Sequence, residues 1–215
     1  PARNKRYPLV PGRPFGTPYS LNVVGTPHGI YAKPGATMYH GTVKIDGERA
    51  KIDWKLLDQK APACGYSEAQ PLVYDSKRSR LIYLLEKKDK KEAWLYVRSV
   101  PEGKWSRLET SGVTPRPTRE VVYDAGNDCL VAMYTRRLMV MDCKSNTWRE
   151  LDVTLPAGKY GTACALMYDP VHKLLVGLIP AQGQAKIQVM LLKYDPSRAK
   201  YTDDSSKGAK KGMTE

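Results

Sequence analysis

The sequence predicts an all-β fold built from a repeated unit of about 45 residues, and three observations predict it. Three of the four tryptophans open one tetrapeptide pattern, Trp54-Lys-Leu-Leu57, Trp105-Ser-Arg-Leu108 and Trp148-Arg-Glu-Leu151, at spacings of 51 and 43 residues. A second pattern runs in phase with it: Tyr74-Asp75, Tyr123-Asp124 and Tyr168-Asp169 recur at intervals of 49 and 45, each with a Leu seven residues after its Tyr (Leu81, Leu130, Leu175). Finally, no stretch holds a 3.6-residue period, whereas short runs of β-branched and aromatic residues alternate with Gly, Asn and Asp clusters, as strands and turns require. Two patterns sharing one period define a repeat, which takes precedence over any local assignment.

Taken in order, the units span residues 21–60, 61–110, 111–154 and 155–202. The first rests on Trp54 and the second on Tyr74-Asp75 and Trp105. In the third, Arg119 to Tyr123 reads as a first strand, Asp124 to Asp128 as a polar turn and Cys129 to Tyr134 as a second strand. Leu138 to Asp142 makes a third and Thr147 to Val153 a fourth. The last unit opens with Tyr168-Asp169. It closes on Tyr201, six residues beyond Asp195 just as Trp148 stands six beyond Asp142, with Tyr in place of Trp. Four strands in about 45 residues is the size of a β-propeller blade. The flanks, a Pro- and Arg-rich stretch over 1–20 and a polar stretch over 203–215, read as an extended arm and a flexible tail.

The passage Leu108-Glu-Thr-Ser-Gly-Val-Thr-Pro-Arg-Pro-Thr-Arg-Glu-Val-Val-Tyr-Asp124 resembles the kelch and galactose-oxidase type of propeller. There an outer strand runs through a Pro- and Arg-bearing loop into the next blade's inner strand. The family's double glycine is absent; Leu84-Leu85, Met133-Tyr134 and Leu178-Ile179 stand near its place. Rings of this family usually have six or seven blades, so the resemblance implies that about four blades form part of a larger ring. Another chain or a second copy is expected to complete it, because an open propeller leaves unpaired edges and an apolar blade face exposed. Members of the family include enzymes, carbohydrate binders and interaction scaffolds.

The chain carries 35 Lys and Arg against 22 Asp and Glu, a formal charge of +13, of which the first twenty residues hold four. Such a surface attracts polyanions. In a four-stranded meander the loop entering the first strand and the loop joining the second to the third emerge at one end. That end gathers Arg116, Arg119, Lys159 and Tyr160 from entry loops, Arg136 and Arg137 from an inner turn, and the lysines between Glu86 and Glu92. A guanidinium forks over carboxylates, sulfates and phosphates. The predicted function is therefore a binding module whose basic loop face takes an acidic glycan or a protein partner. Fourteen tyrosines against one phenylalanine add amphipathic surface suited to sugar rings or protein. Nucleic acid is not expected, since no recognition module is present, and no apolar run reaches the roughly 20 residues a membrane helix needs.

The alternative is a lyase or hydrolase acting on an anionic polysaccharide, with Tyr39 and His40 as the catalytic candidates for proton abstraction. Against it, adjacent residues of one strand point to opposite faces. No cofactor or metal site is predicted: no Cys or His spacing matches a ligand set, and no phosphate-binding or dinucleotide fingerprint occurs. Among the four cysteines, a three-residue turn at Thr135, Arg136 and Arg137 would place Cys129 directly opposite Cys143 across a hairpin, at disulfide distance in a non-hydrogen-bonded pair. A bond there would favour an exported or extracellular protein. The chain starts at Pro1 without an initiator Met, as expected of a processed product or an excised fragment.

Overall fold

The structure is a computed structural model that describes residues 21–46, 49–63, 71–86, 93–113, 120–134, 137–153, 155, 165–180 and 187–202. The expected arm over 1–20 and tail over 203–215 lie outside it. Sixteen strands form among the described residues, fifteen of them in four small antiparallel meanders. Blade 1 is β1 (Leu21–Thr26), β2 (Gly29–Pro34), β3 (Met38–Asp46) and β4 (Arg49–Asp58). Blade 2 is β5 (Leu72–Asp75), β6 (Arg80–Glu86), β7 (Ala93–Ser99) and β8 (Ser106–Leu108). Next comes β9 (Ser111–Gly112), which leaves blade 2 and pairs in parallel with the outer strand of blade 3. Blade 3 is β10 (Glu120–Asp124), β11 (Cys129–Tyr134), β12 (Arg137–Asp142) and β13 (Thr147–Glu150), and blade 4 is β14 (Ala165–Asp169), β15 (Leu174–Pro180) and β16 (Ile187–Leu192). The four sheets are propeller blades, with inner strands packed β1 on β5, β5 on β10 and β10 on β14.

The repeated Asp has a local cause. Asp75, Asp124, Asp142 and Asp169 each end a strand, and the next strand begins five residues later. In each turn the Asp Oδ1 accepts backbone N–H groups two or three residues on, for example Lys77 N at 3.1 Å, Asn127 N at 3.1 Å, Lys144 N at 2.7 Å and Val171 N at 2.8 Å. The fourth residue after each Asp takes the left-handed conformation: Ser79 at φ 46°, Asp128 at 57°, Asn146 at 54° and Lys173 at 56°. Asn and Asp tolerate that region; Lys does not. Lys173→Gly is therefore expected to stabilise the chain by about 0.5–1 kcal/mol, read as a melting temperature higher by about 2 °C. An unchanged or lower value would contradict the strain assigned to this turn.

Strand alternation then sends the side chains of an interior blade to two neighbours. In blade 3, Leu130, Ala132, Met139, Met141 and Trp148 join Ile82, Leu84 and Leu95 of blade 2 in one cluster. From the opposite face, Cys129, Val131, Met133, Leu138 and Val140 join Leu166, Leu175 and Ile179 of blade 4. Blade 2 meets blade 1 in the same way, with Leu81, Tyr83 and Leu85 against Tyr31 and Met38. The repeated aromatics share one direction: Tyr74, Tyr123 and Tyr168, with Trp105, Trp148 and Tyr201, all face the preceding blade.

One element departs from expectation. The last unit has three described strands, and Tyr201 does not extend a fourth within its own sheet. It makes an isolated bridge to Leu151 of the preceding unit, and its hydroxyl lies 2.8 Å from that of Tyr194. Pro196, which has no N–H to offer a ladder, stands in the segment that leads there.

Candidate functional site

The meander order places the starts of β5, β10 and β14, and the turns between β6 and β7, β11 and β12, and β15 and β16, at one end of the blades. Of the six residues the sequence assigns to a ligand face there, Arg116, Arg119, Arg136, Lys159 and Tyr160 lie outside the described residues. Arg137 is described, as the first residue of β12, and its guanidinium is engaged. Nε lies 2.5 Å from Glu150 Oε1, and Nη2 makes a second short contact with Oε2. Glu150 is buried, and its carboxylate holds the Arg137 proton more firmly than in a free arginine. Arg137 therefore serves the packing of β12 on β13, with its fork already occupied.

The opposite end carries a polar network that the sequence reading did not anticipate. Arg78, in the β5–β6 turn, reaches blade 3 and donates from Nη1 to Asp128 Oδ1 at 2.7 Å and from Nη2 to Oδ2 at 3.0 Å. Asp75, fully buried, accepts from Arg78 Nη1 at 3.2 Å and from Arg80 Nε at 2.8 Å, and Tyr123 donates its hydroxyl to Asp128 at 2.8 Å. The Arg78 hydrogen bonds pull the Asp128 carboxyl down to about 2. Burial first, and then the Asp128 carboxylate, push the Tyr123 phenol well above its ordinary range. The Arg78–Asp128 ion pair and the Tyr123 phenol that donates to it join the β5–β6 turn to blade 3, which suits a clamp between blades 2 and 3. Arg78 and Asp128 stand three and four residues after the repeated Asp, so superposing the repeats would have brought them to notice.

Tyr39 and His40 do not share a reaction centre. His40 lies opposite Tyr31 across β2–β3, with ring centroids 4.9 Å apart, on the face that packs toward blade 2. Its Nε2 is 2.6 Å from the His28 carbonyl oxygen, which can only accept, so Nε2 carries a proton. Tyr39 pairs with Ala32 and leaves β3 on the other face.

The expected disulfide is also corrected. Tyr134 pairs with Arg137, leaving two intervening residues rather than three, and Cys129 consequently faces Asp142. A one-residue slip exchanges the two faces of a strand. Cys129 packs toward blade 4, Cys143 toward blade 2, and both are free and buried. Burial raises both thiols, Cys143 to about 12, which keeps them protonated and unreactive. With the bond goes the sequence's ground for favouring an exported protein. Cys64 and Cys164 lie outside the described residues.

A cleft of about 510 Å³ opens where the end of blade 3 meets blade 4, lined by Leu151, Asp152, Val153, Leu192, Tyr194 and Ala199 with Lys193, Asp195, Arg198 and Lys200 at its edges. Asp195 is tied to Ser197, whose hydroxyl and backbone N–H both donate to it. Among the described residues no group of three His, Cys, Asp or Glu could hold a metal ion, and no helix is long and apolar enough to cross a membrane. Compared with known proteins, the chain matches no family model and no curated protein.

Proposed function

We propose that the chain is a kelch-like binding module that holds an anionic partner, an acidic glycan or an acidic protein segment, with the loops at one end of its blades. The observation that carries this reading is the common meander of the blades, which leads the entry segments and the second-to-third-strand turns to a single end. Those segments contain Lys60, Lys87, Lys88, Lys90, Lys91, Arg116, Arg119, Arg136, Lys159 and Lys186 against Glu68, Asp89, Glu92, Glu109 and Asp152. At the other end Arg78 and Arg80 are neutralised by Asp75 and Asp128, and His172 Nδ1 lies 2.6 Å from Asp169. That end also exposes Lys77, Lys104, Lys144 and Lys173, so the reading rests on the arginines of the entry and inner loops, whose guanidinium forks suit carboxylate or sulfate groups. The alternative, a polysaccharide lyase or hydrolase using Tyr39 and His40, loses its geometric basis because the two side chains diverge.

The test is binding to a sulfated glycan, heparin, by calorimetry over a salt series. Replacing Arg116, Arg119 and Arg136 together by Ala is expected to weaken binding by about ten-fold or more and to flatten its salt dependence. Arg137→Ala should leave affinity near wild type, because its guanidinium already serves Glu150. Equal affinity in the triple variant would overturn the site.

A further inference from the structure

Each interior blade interface joins two different faces. One is the face that carries the repeated aromatics and looks back at the preceding blade; the other looks forward and is lined by aliphatic residues. Four blades in an arc use three of each kind, which leaves one backward face on blade 1 and one forward face on blade 4. In blade 1 the row Gly25, Ile30, Gly41 and Trp54 stands where blade 3 has Tyr123, Leu130, Met141 and Trp148. Trp54 is thus the backward-facing aromatic of its blade, with its ring laid over Gly41. The neighbouring row on the same face runs Val23, Ala32, Tyr39 and Leu56. In blade 4 the forward face presents Met167, Val176 and Leu191 in one row, with Leu178 and Val189 in the next.

Both faces are apolar, and each exposes large aliphatic side chains, although Ala32 and Gly41 within the blade 1 rows are buried. Val23 is 53% exposed and Leu56 41% on blade 1, while Met167 is 47%, Val189 62% and Leu191 65% exposed on blade 4. Among the described residues no packing comparable to that of the other inner strands joins β14 back to β1. Scattered exposed aliphatics are ordinary on a protein surface; two contiguous sheet faces of them, one at each end of the arc, are not.

We infer that blade 4 of one copy packs on blade 1 of a second copy, and the reverse, closing a two-chain ring of eight blades. The inference rests on the fold and is independent of the ligand proposed above. Three features select a second copy as the occupant. The faces are the two complementary halves of the interface already made three times within the chain, so a copy supplies the missing partner of each. Neither the blade 4 rows nor the blade 1 rows contain an ionisable side chain other than Tyr39, so the net charge of +13 places no like charges inside the contact and no oppositely charged partner is called for. The area also favours closure. The three described strands of blade 4 make a face about 14 Å wide and about 20 Å long, or about 300 Å², so one junction buries about 600 Å² and two bury about 1,200 Å², the lower end of the range for a stable complex. A single junction is the size of a weak contact, whereas the closed pair reaches that of a stable complex. Eight blades also fall within the range that propellers form.

The experiment is the solution mass of the whole chain by light scattering coupled to size exclusion, over a concentration series. Wild type, Val23→Glu, Leu191→Glu and Val189→Glu are compared, with far-UV circular dichroism to show that each variant keeps its sheets. The substituted side chains are exposed in the single chain, so a charge there leaves the fold intact. Twice the 24.1 kDa chain mass is expected for wild type. Each single variant should shift to the monomer, with dissociation at least about a hundred-fold easier. If Leu191→Glu perturbs the sheet, Val189→Glu reports on the same face. A wild-type chain that stays monomeric throughout overturns the proposal and assigns the faces to blades of other origin. An open ladder of oligomers, a dimer indifferent to these substitutions, or one sensitive on a single face also overturns it.

Discussion

Trp148→Ala is expected to destabilise the chain by about 3–5 kcal/mol, the largest effect of any single substitution considered. Trp148 is 1% exposed and lies between blades 2 and 3, so truncation opens a cavity bordered by two sheets that cannot collapse independently. Its indole N–H is buried without a hydrogen-bond partner. Trp148→Phe therefore gives up no polar contact and should cost much less than the Ala variant. Urea unfolding of both proteins reads the difference. Similar losses for Phe and Ala would mean that the N–H, rather than the packed ring, carries the contribution.

The second large effect belongs to the clamp at the same interface. Asp128→Asn keeps the shape of the side chain and suits the left-handed backbone at φ 57°, but removes the charge that both nitrogens of the Arg78 fork address. Breaking such a pair is expected to cost about 2–4 kcal/mol at pH 7. The pH dependence gives an independent check. The folded carboxyl titrates at about 2, below its usual value of 3.8, so its contribution is complete above pH 4 and is lost as pH falls through the folded value. Wild type should therefore lose about 2 kcal/mol from this group between pH 4 and pH 2, while the Asn variant lacks that component. A variant whose stability falls in parallel with wild type over that range would show that Asp128 does not titrate as the Arg78 contact requires.

The two substitutions differ in how far the sequence foretold them. Trp148 was marked by the repeat, because a blade-packing aromatic must recur wherever a blade recurs. The clamp joins residues 50 apart in the chain, and nothing in local composition tells Arg78 that Asp128 will lie across the next interface. The same separation of local from distant causes explains the errors. Cys129 opens β11, and Cys143 stands in the turn just past the end of β12. Their facing depended on a single residue of turn length, which the backbone geometry of the turn decides and alternation then propagates along both strands. The pairing of Arg137 with Glu150, thirteen residues on, is likewise set by strand packing rather than by any local pattern.

By itself, then, the sequence determined the period, the all-β character, the Asp-led turns and the recurrent aromatics. All of these follow from interactions within a few residues or from the packing of each blade on the next. Tertiary structure alone decided the hairpin register, the partners of Arg78 and Arg137, the divergence of Tyr39 from His40, and the exposure of one apolar face at each end of the arc. These are contacts between segments far apart in the chain, and their geometry exists only once the blades have packed.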